Sequence, residues 1–450
     1  MSINLILLAA GGGTRMLSDR AKVLHEIGGA PMFAHALAAT KALEPDARVL
    51  VVGHQGESVA AAAREIDPEI QIAEQTEQLG TAHAVRQAAS SLQGAIGDAL
   101  VLYGDTPFIR SETFAAMQAA RRNGADIVVL GFEAADPARY GRLIVSGTRL
   151  ERIVEWKDAT EEERAVRLCN SGVVLADTAT LLSLVDAVEN ENAAGEFYLT
   201  DIPEIGKSRG LITEVVTCDE AETLGINTRA DLAVAEAVFQ AGARAAALEN
   251  GVTLVAPETV YFSLDTHIGR DALIEPNVVF GPGVTVETGA HIRAFSHLEG
   301  CHVSTGAVVG PYARLRPGTE LSNGAKVGNF VEVKNADIGE GAKVNHLTYI
   351  GDARIGAASN IGAGTITCNY DGFFKHRTDV GENVFIGSNT MLVAPVTIGD
   401  GAMTATGTVV TRDVPAGDMA VARSKQENKP GFATRFMDKL RAAKARKAKE

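Results

Sequence analysis

The sequence predicts two architectures in series: an α/β layer with a mostly parallel sheet, then a parallel β-helix of hexapeptide repeats. Three features carry this. Up to about residue 227, short apolar runs alternate with alanine-rich stretches of helical pattern. From Ile268 onward, aliphatic residues recur every six positions. Between the two, residues 229–250, RADLAVAEAVFQAGARAAALEN, read as one long connecting helix stopped by Gly251.

The first apolar run, Ile3 to Ala10, ends in LLAAGGGTRM. No Gly-Lys-Ser/Thr follows, so this is not a P-loop. The third glycine of a dinucleotide fingerprint falls on Met16, and no acidic residue lies about 20 positions on to hold a ribose. What remains is a glycine-rich turn whose bare N–H groups can cradle an anion, with Arg15 and Lys22 adding positive charge. RVLVVG, DALVLYGD and ADIVVLGF read as further strands, with helices over residues 83–92 and 111–123. Ligands in such sheets sit beyond the carboxyl ends of the strands. Gly11 to Arg15 and Tyr103-Gly104-Asp105 both fall at that edge.

Past the helix the period is six. Ile268, Ile274, Phe280, Val286, Ile292 and Leu298 keep it, and after a five-residue step so do Val303, Val309, Leu315, Leu321, Val327 and Val333. Ile338, Val344 and Ile350 continue it, and Val380, Ile386, Leu392 and Ile398 resume it. Neither a helix nor an alternating strand has that period; three short strands with one inward aliphatic each make a coil of about 18 residues. Such a rod can be scaffold alone, so the period sets architecture and leaves chemistry open.

Some residues do not belong to a plain rod. Arg316 and Lys334 lie 18 apart, each after an inward aliphatic, and so stack one strand spacing apart. Stacked cations either hold an anion, such as a sugar phosphate, or splay into solvent. Nearby stand His346, Tyr349 and Asn360, the histidine within about one coil of the pair. GTITCNYDG, Gly364 to Gly372, breaks the hexads and must loop out of the rod. A histidine among amide and phenol groups can take the proton an amine sheds on attacking a thioester.

Composition bounds the partners. With 46% hydrophobic and 22% charged residues the chain is an ordinary globular protein, rich in glycine (46) and poor in aromatics (5%). Its net charge of −14 conceals a basic end, residues 434–450, with seven Lys/Arg against Asp438 and Glu450, a local +5 that leaves −19 elsewhere. So acidic a body is a poor nucleic-acid binder. The tail reads as a solvated helix. Cys169, Cys218, Cys301 and Cys368 are scattered, which argues against zinc and against a disulfide framework. LILLAA has no Lys or Arg before it and runs into the glycine loop, so it is expected to be a strand rather than a signal core. With no apolar run of about 18 residues, no membrane insertion is expected, and the location expected is cytoplasmic.

The motifs LAAGGGTRM, KVLH, EQLGTAHA, LYGD, CNSG, GEFYLTD and GINTR, then RLRPG, VGNFVEVK, NHLTYIGDA, NIGAGTITCNYDG, GSNTMLVAPVTIG and VARS, run in order over nearly the whole chain. In them the sequence resembles the bifunctional N-acetylglucosamine-1-phosphate uridylyltransferases and glucosamine-1-phosphate N-acetyltransferases. The resemblance implies a Rossmann-like nucleotidyltransferase domain over 1–228, a linker helix over 229–250, and a left-handed β-helix acetyltransferase domain over 251–450 with a basic tail.

It implies roles as well. Leu8, Ala9, Ala10, Gly11, Gln75, Gly80, Thr81, Tyr103 and Gly104 would line the UTP site, with Arg15 and Lys22 on the phosphates. Asp105 and Asn227 would hold Mg²⁺, and Gly141, Glu155 and Asn170 the sugar. Arg316, Lys334, Tyr349 and Asn360 would bind glucosamine-1-phosphate, with His346 as general base. Ala363, Asn369, Tyr370, Ser388, Thr406 and Arg423 would line the acetyl-CoA site. The family is a homotrimer, with cofactor pockets between neighbouring rods.

Three positions depart from the family. Gly12 replaces a lysine, Ala21 a proline and Thr406 an alanine, which removes one cation near the triphosphate and loosens the approach to Lys22. Two other readings compete. One is a single-activity sugar nucleotidyltransferase with a regulatory rod, as in ADP-glucose pyrophosphorylase; His346 and the NYDG loop argue against it. The other makes the rod a non-catalytic trimeric assembly module.

Overall fold

The structure is a computed structural model, described over residues 2–192 and 194–448. Lys449 and Glu450 of the expected basic end lie outside the described residues. The chain divides into two compact units. The first takes in the chain up to Asn250 with Pro257–Thr266 and Phe280–Gly283; the second takes in Gly251–Ala256, His267–Val279 and the chain from Val284.

In the first unit the strands are β1 (Ile3–Ala9), β2 (Glu26–Ile27), β3 (Ala30–Pro31), β4 (Ala47–Val52), β5 (Gln71–Glu74), β6 (Asp98–Tyr103), β7 (Ile127–Glu133), β8 (Arg142–Ser146), β9 (Arg149–Val154), β10 (Leu168–Asp177) and β11 (Thr213–Cys218). The helices are α1 (Met32–Thr40), α2 (Gly56–Ile66), α3 (Thr81–Gln87), α4 (Ser111–Arg122), α5 (Glu161–Arg164), α6 (Thr178–Asp186), α7 (Ile202–Ser208) and α8 (Arg229–Glu249). Nine strands form one sheet in the order β5-β4-β1-β6-β10-β7-β11-β9-β8. β1 pairs in parallel with β4 and β6, and β7 with β11. β10 runs antiparallel to both β6 and β7, which makes the sheet mixed at that point.

Every residue of β1 is buried because helices cover both faces of the sheet. Leu5 and Leu7 enter the cluster around Phe33 and Phe114, while Ile6 and Leu8 enter the one around Leu181 and Ile202. α3 ends at Gln87, five residues before the expected limit. The sequence there turns to Ser90-Ser91, weak helix formers. α4 and α8 match their expected spans within a residue.

The helix read as a linker is also a wall of the first unit. α8 is capped by Thr228 and Asp231 in a reciprocal capping box. Its Ala235 is buried with Met16, Ile27, Met32 and Ile226, and Phe239 packs beside them.

In the second unit two-residue strands recur with the predicted period. Thr285–Val286 pairs in parallel with the strand at Cys301–Val303, and Arg314–Leu315 with Glu332–Ile338. The predicted inward aliphatics are buried throughout, among them Ile274, Ile292, Leu315, Val333 and Ile350, each 0% exposed. Ile268 alone among them is only partly covered. Steps of 18 (Leu315 to Val333) and 17 (Val333 to Ile350) give way to 25 at Ile366 to Met391, where the NYDG segment leaves the rod. Phe432–Lys447 closes the described chain as helix α9, exposed along its whole length.

Candidate active sites

The first site opens at the carboxyl ends of β1 and β6. Leu8, Ala9, Ala10, Gly11, Lys22, Gln75, Gly80, Thr81, Tyr103 and Asp105 line one cleft of about 340 Å³. That volume lies in the range of small-molecule sites. Gly104, between the lining residues Tyr103 and Asp105, donates its N–H to Leu8 O at 2.9 Å.

Two glycines are required by geometry. Gly13 has φ +58, and a β-carbon there would come within 2.5 Å of Lys22 Cβ, so the glycine lets the loop fold against Lys22. Gly80 has φ +117, and a β-carbon there would meet the Phe197 backbone at 2.8 Å or closer. Phe197 N–H binds Leu79 O at 2.8 Å and Leu199 N–H binds Thr81 Oγ1 at 3.0 Å, joining GEFYLTD to EQLGTAHA.

Cations and oxygens gather at the mouth. Lys22 Nζ contacts Asp105 Oδ2 and lies 3.2 Å from Asn227 Oδ1, while Arg15 donates to the same Asn227 oxygen at 2.8 Å. A carboxylate oxygen and an amide oxygen thus converge on one positive charge, a donor set that suits Mg²⁺. Asn227 stands just before the α8 cap, where its N–H binds Asp231 at 3.0 Å. Arg229 ties the same corner together: it donates to Met16 O and to His25 Nδ1, each at 3.2 Å. Burial, followed by the nearby arginines, holds the His25 pKa down, so the ring stays a neutral acceptor.

Gly141, Glu155 and Asn170 also come together. Asn170 N–H binds Gly141 O at 2.9 Å, and a β-carbon at Gly141 would lie 3.5 Å from Glu155 Oε1. Thr200 donates to Glu155 at 3.1 Å. Burial raises the Glu155 pKa, and burial with Glu204, Glu155 and Asp158 pushes Asp201 up to about 6. Asp201 therefore holds its proton more tightly folded than unfolded. Its contribution to stability is complete below pH about 4 and is lost as pH rises through about 6. Asp201→Asn is expected to raise Tm at pH 7 and leave it unchanged at pH 3.5, in thermal unfolding at about those two pH values. Equal shifts at both would contradict this.

The second site lies along the rod. The register that stacks Leu315 on Val333 carries Arg316 over Lys334. The chain supplies an anion of its own here, because Arg316 donates to Glu332 Oε1 at 2.8 Å. The Lys334 ammonium makes no hydrogen bond or ion pair among the described residues, though its charge acts on the Asp352 carboxylate. Tyr349 stacks above Glu332. A β-carbon at Gly351 would strike Tyr349 Oη and approach Asn369 Nδ2 to 2.8 Å, so the Tyr349 and Asn369 side chains meet over that glycine. Asn369 and Asn335 donate to Asp352, and against the effect of burial these bonds keep its pKa below the usual range.

His346 is exposed, and its Nδ1 lies 2.7 Å from Asn329 Oδ1. Above it a column runs up one corner of the rod. Gly364 N–H binds His346 O, Asn389 N–H binds Ala363 O, Gly407 N–H binds Ser388 O, and Arg423 donates to Thr406 O. Ala363, Ser388, Thr406 and Arg423 therefore rise in sequence from the histidine. Tyr370 leaves the rod with the NYDG loop, and Lys375 sits 4.2 Å from its ring centroid. Asn360 lies before the same corner, registered on Lys343, with no contact to Arg316 or Lys334 among the described residues.

Sequence reasoning missed several residues. Gln78 donates to Ala10 O at 3.0 Å, and Glu196 lines the first cleft. Arg142, 2% exposed, donates to Ala138 O at 3.1 Å and holds the turn before Gly141. Asn329 and Glu332 lay in the quoted VGNFVEVK motif without a role.

Comparison with known proteins covers both units. Residues 5–193 match the MobA-like NTP transferase domain family, and residues 265–300 and 377–412 match the bacterial transferase hexapeptide (six repeats) family. The chain is 66% identical over 450 residues to the bifunctional protein GlmU of Ruegeria pomeroyi, covering 100% of both chains. It is 64% identical over 449 residues to the GlmU protein of another Ruegeria strain, again covering 100% of both. Against the GlmU protein of a Jannaschia species it is 62% identical over 446 residues, 99% of this chain and 98% of that one. Similarity of this degree, unbroken from the glycine loop to the end of the rod, establishes that the chain belongs to the family of bifunctional GlmU proteins.

Proposed function

We propose that the chain makes UDP-N-acetylglucosamine by two transfers at two sites, acetyl transfer on the rod and uridylyl transfer in the α/β unit. The enzyme is bifunctional, a uridylyltransferase and an acetyltransferase, as its family is. The observation that supports the assignment of residues is that the rod carries an exposed His346, with its Nδ1 2.7 Å from Asn329 Oδ1, and a stacked Arg316 and Lys334 pair, polar groups that a merely regulatory rod would not need.

On the rod, Lys334 and Arg316 hold the phosphate of glucosamine-1-phosphate, with Tyr349 and Asn360 on the sugar. Acetyl-CoA lies along Ala363, Ser388, Thr406 and Arg423, with Asn369 and Tyr370 beside it. The amine nitrogen bonds to the thioester carbon, the carbon–sulfur bond breaks, and His346 takes the amine proton. In the cleft, the sugar phosphate oxygen attacks the α-phosphorus of UTP, and pyrophosphate leaves. Positioning and charge neutralisation dominate such a transfer. Arg15 and Lys22 lie on the phosphates, and Asp105 and Asn227 are the residues that would hold Mg²⁺. When bound, the ion neutralises triphosphate charge. Gly141, Glu155 and Asn170 hold the sugar.

The domain limits at 228 and 250, a cytoplasmic location and a homotrimer complete the reading. Among the described residues no helix is long and apolar enough to cross a membrane. Exposed, stacked rings of Phe295, Tyr312 and Phe330 along one corner of the rod support assembly with further copies. Light scattering is expected to give three times the chain mass of 47.2 kDa; a monomer would contradict the trimer.

The overall test is incubation with glucosamine-1-phosphate, acetyl-CoA, UTP and Mg²⁺, with mass detection of UDP-N-acetylglucosamine. Product made only from ready-acetylated sugar phosphate would favour the single-activity alternative. Lys334→Ala is expected to raise the KM for glucosamine-1-phosphate about ten- to a hundredfold with little change in kcat. An equal fall in kcat/KM with plain glucosamine would show that the phosphate was not its partner.

A further inference from the structure

We propose that Asn329 is a positioning residue for acetyl transfer, holding His346 in the tautomer that leaves Nε2 free to take a proton. The inference rests on the reading of His346 as the base.

The geometry is set by the rod. Lys326–Asn329 and Lys343–His346 are neighbouring parallel strands, in register at Asn329 and His346. Each ends at a left-handed corner residue, Phe330 at φ 55 and Leu347 at φ 52, and Leu347 N–H binds Asn329 O at 3.1 Å. Two side chains in the same position on successive tiers leave the rod side by side, so the amide reaches the ring without a special loop. Asn329 Oδ1 accepts and lies 2.7 Å from His346 Nδ1. The neutral ring must then carry its proton on Nδ1, and the lone pair stays on Nε2.

Free neutral imidazole side chains favour the opposite tautomer, whose Nε2 already bears a proton and cannot act as base. Lys326 and Lys343 are the charged groups on these two strands, and neither strand carries a carboxylate. An uncharged acceptor therefore orients the ring without stabilising the imidazolium as a carboxylate would.

The test compares Asn329→Leu and Asn329→Asp in the full chain with His346→Ala. Asn329→Leu is expected to lower kcat for acetyl transfer about 10- to 100-fold, as loss of an orienting partner does elsewhere, with both KM values and the uridylyl rate unchanged. Asn329→Asp keeps an acceptor, so it should retain most of kcat and move the acidic limb of the pH–rate profile upward by about one unit. Nitrogen NMR of labelled His346 should show the Nδ1–H form in the native chain and a mixture in Asn329→Leu.

Native kcat and tautomer in Asn329→Leu would overturn the proposal. So would equal impairment of both variants with an unshifted pH profile. Should the leucine variant fail to fold, the profile of Asn329→Asp decides alone. Near-normal acetylation by His346→Ala would instead remove the base reading itself, which separates the two failures.

Discussion

His346→Ala is expected to lose acetyl transfer by roughly 10² to 10⁴ in kcat, with acetyl-CoA binding and uridylyl transfer unchanged. The ring is exposed at the foot of the column through Ala363, Ser388 and Thr406, where a thioester bound along that edge would end. Its removal takes away the group that accepts the amine proton, and leaves the residues proposed to hold the coenzyme in place. Steady-state acetylation, a coenzyme-binding titration and a uridylyl assay on one preparation separate these effects. Near-normal acetylation at neutral pH would remove His346 from the mechanism.

Asp105→Asn should abolish uridylyl transfer and spare acetyl transfer. Asp105 and Asn227 present the two oxygens that converge on Lys22 Nζ. Replacing the carboxylate by an amide halves neither size nor reach but removes the negative charge that would hold a divalent cation. A fall of at least about 10² to 10³ in kcat is expected, the scale of losing one strong electrostatic stabiliser. A binding titration with Mn²⁺ in place of Mg²⁺ gives a readout independent of turnover and should show weakened affinity. Loss of both activities in a folded variant would contradict the separation of the two sites.

Much of this geometry was legible in the chain. The period of six placed the rod because each hexad must send one aliphatic inward, and a polar residue there would be buried without a partner. Arg316 and Lys334 were readable as a stack because their spacing equals one coil. Glu332 was not readable as the partner of Arg316, since which way a side chain leans along a strand depends on its neighbours. Asn329 was hidden for a related reason: it lies 17 residues before His346, and only the corner geometry converts that interval into contact.

By itself the sequence determined the alternation of strand and helix, the period of the rod and the identity of the groups that carry charge. Periodicity and residue type are local properties, and local properties survive in a linear string. Only the tertiary structure decided that GEFYLTD closes over Gly80, that α8 is a wall as well as a connector, and that the rod resumes register 25 residues after Ile366. Each of these depends on which distant backbone groups satisfy one another's hydrogen bonds and on which apolar faces exclude water together. Those pairings are settled by shape across the folded chain, and no spacing along it encodes them.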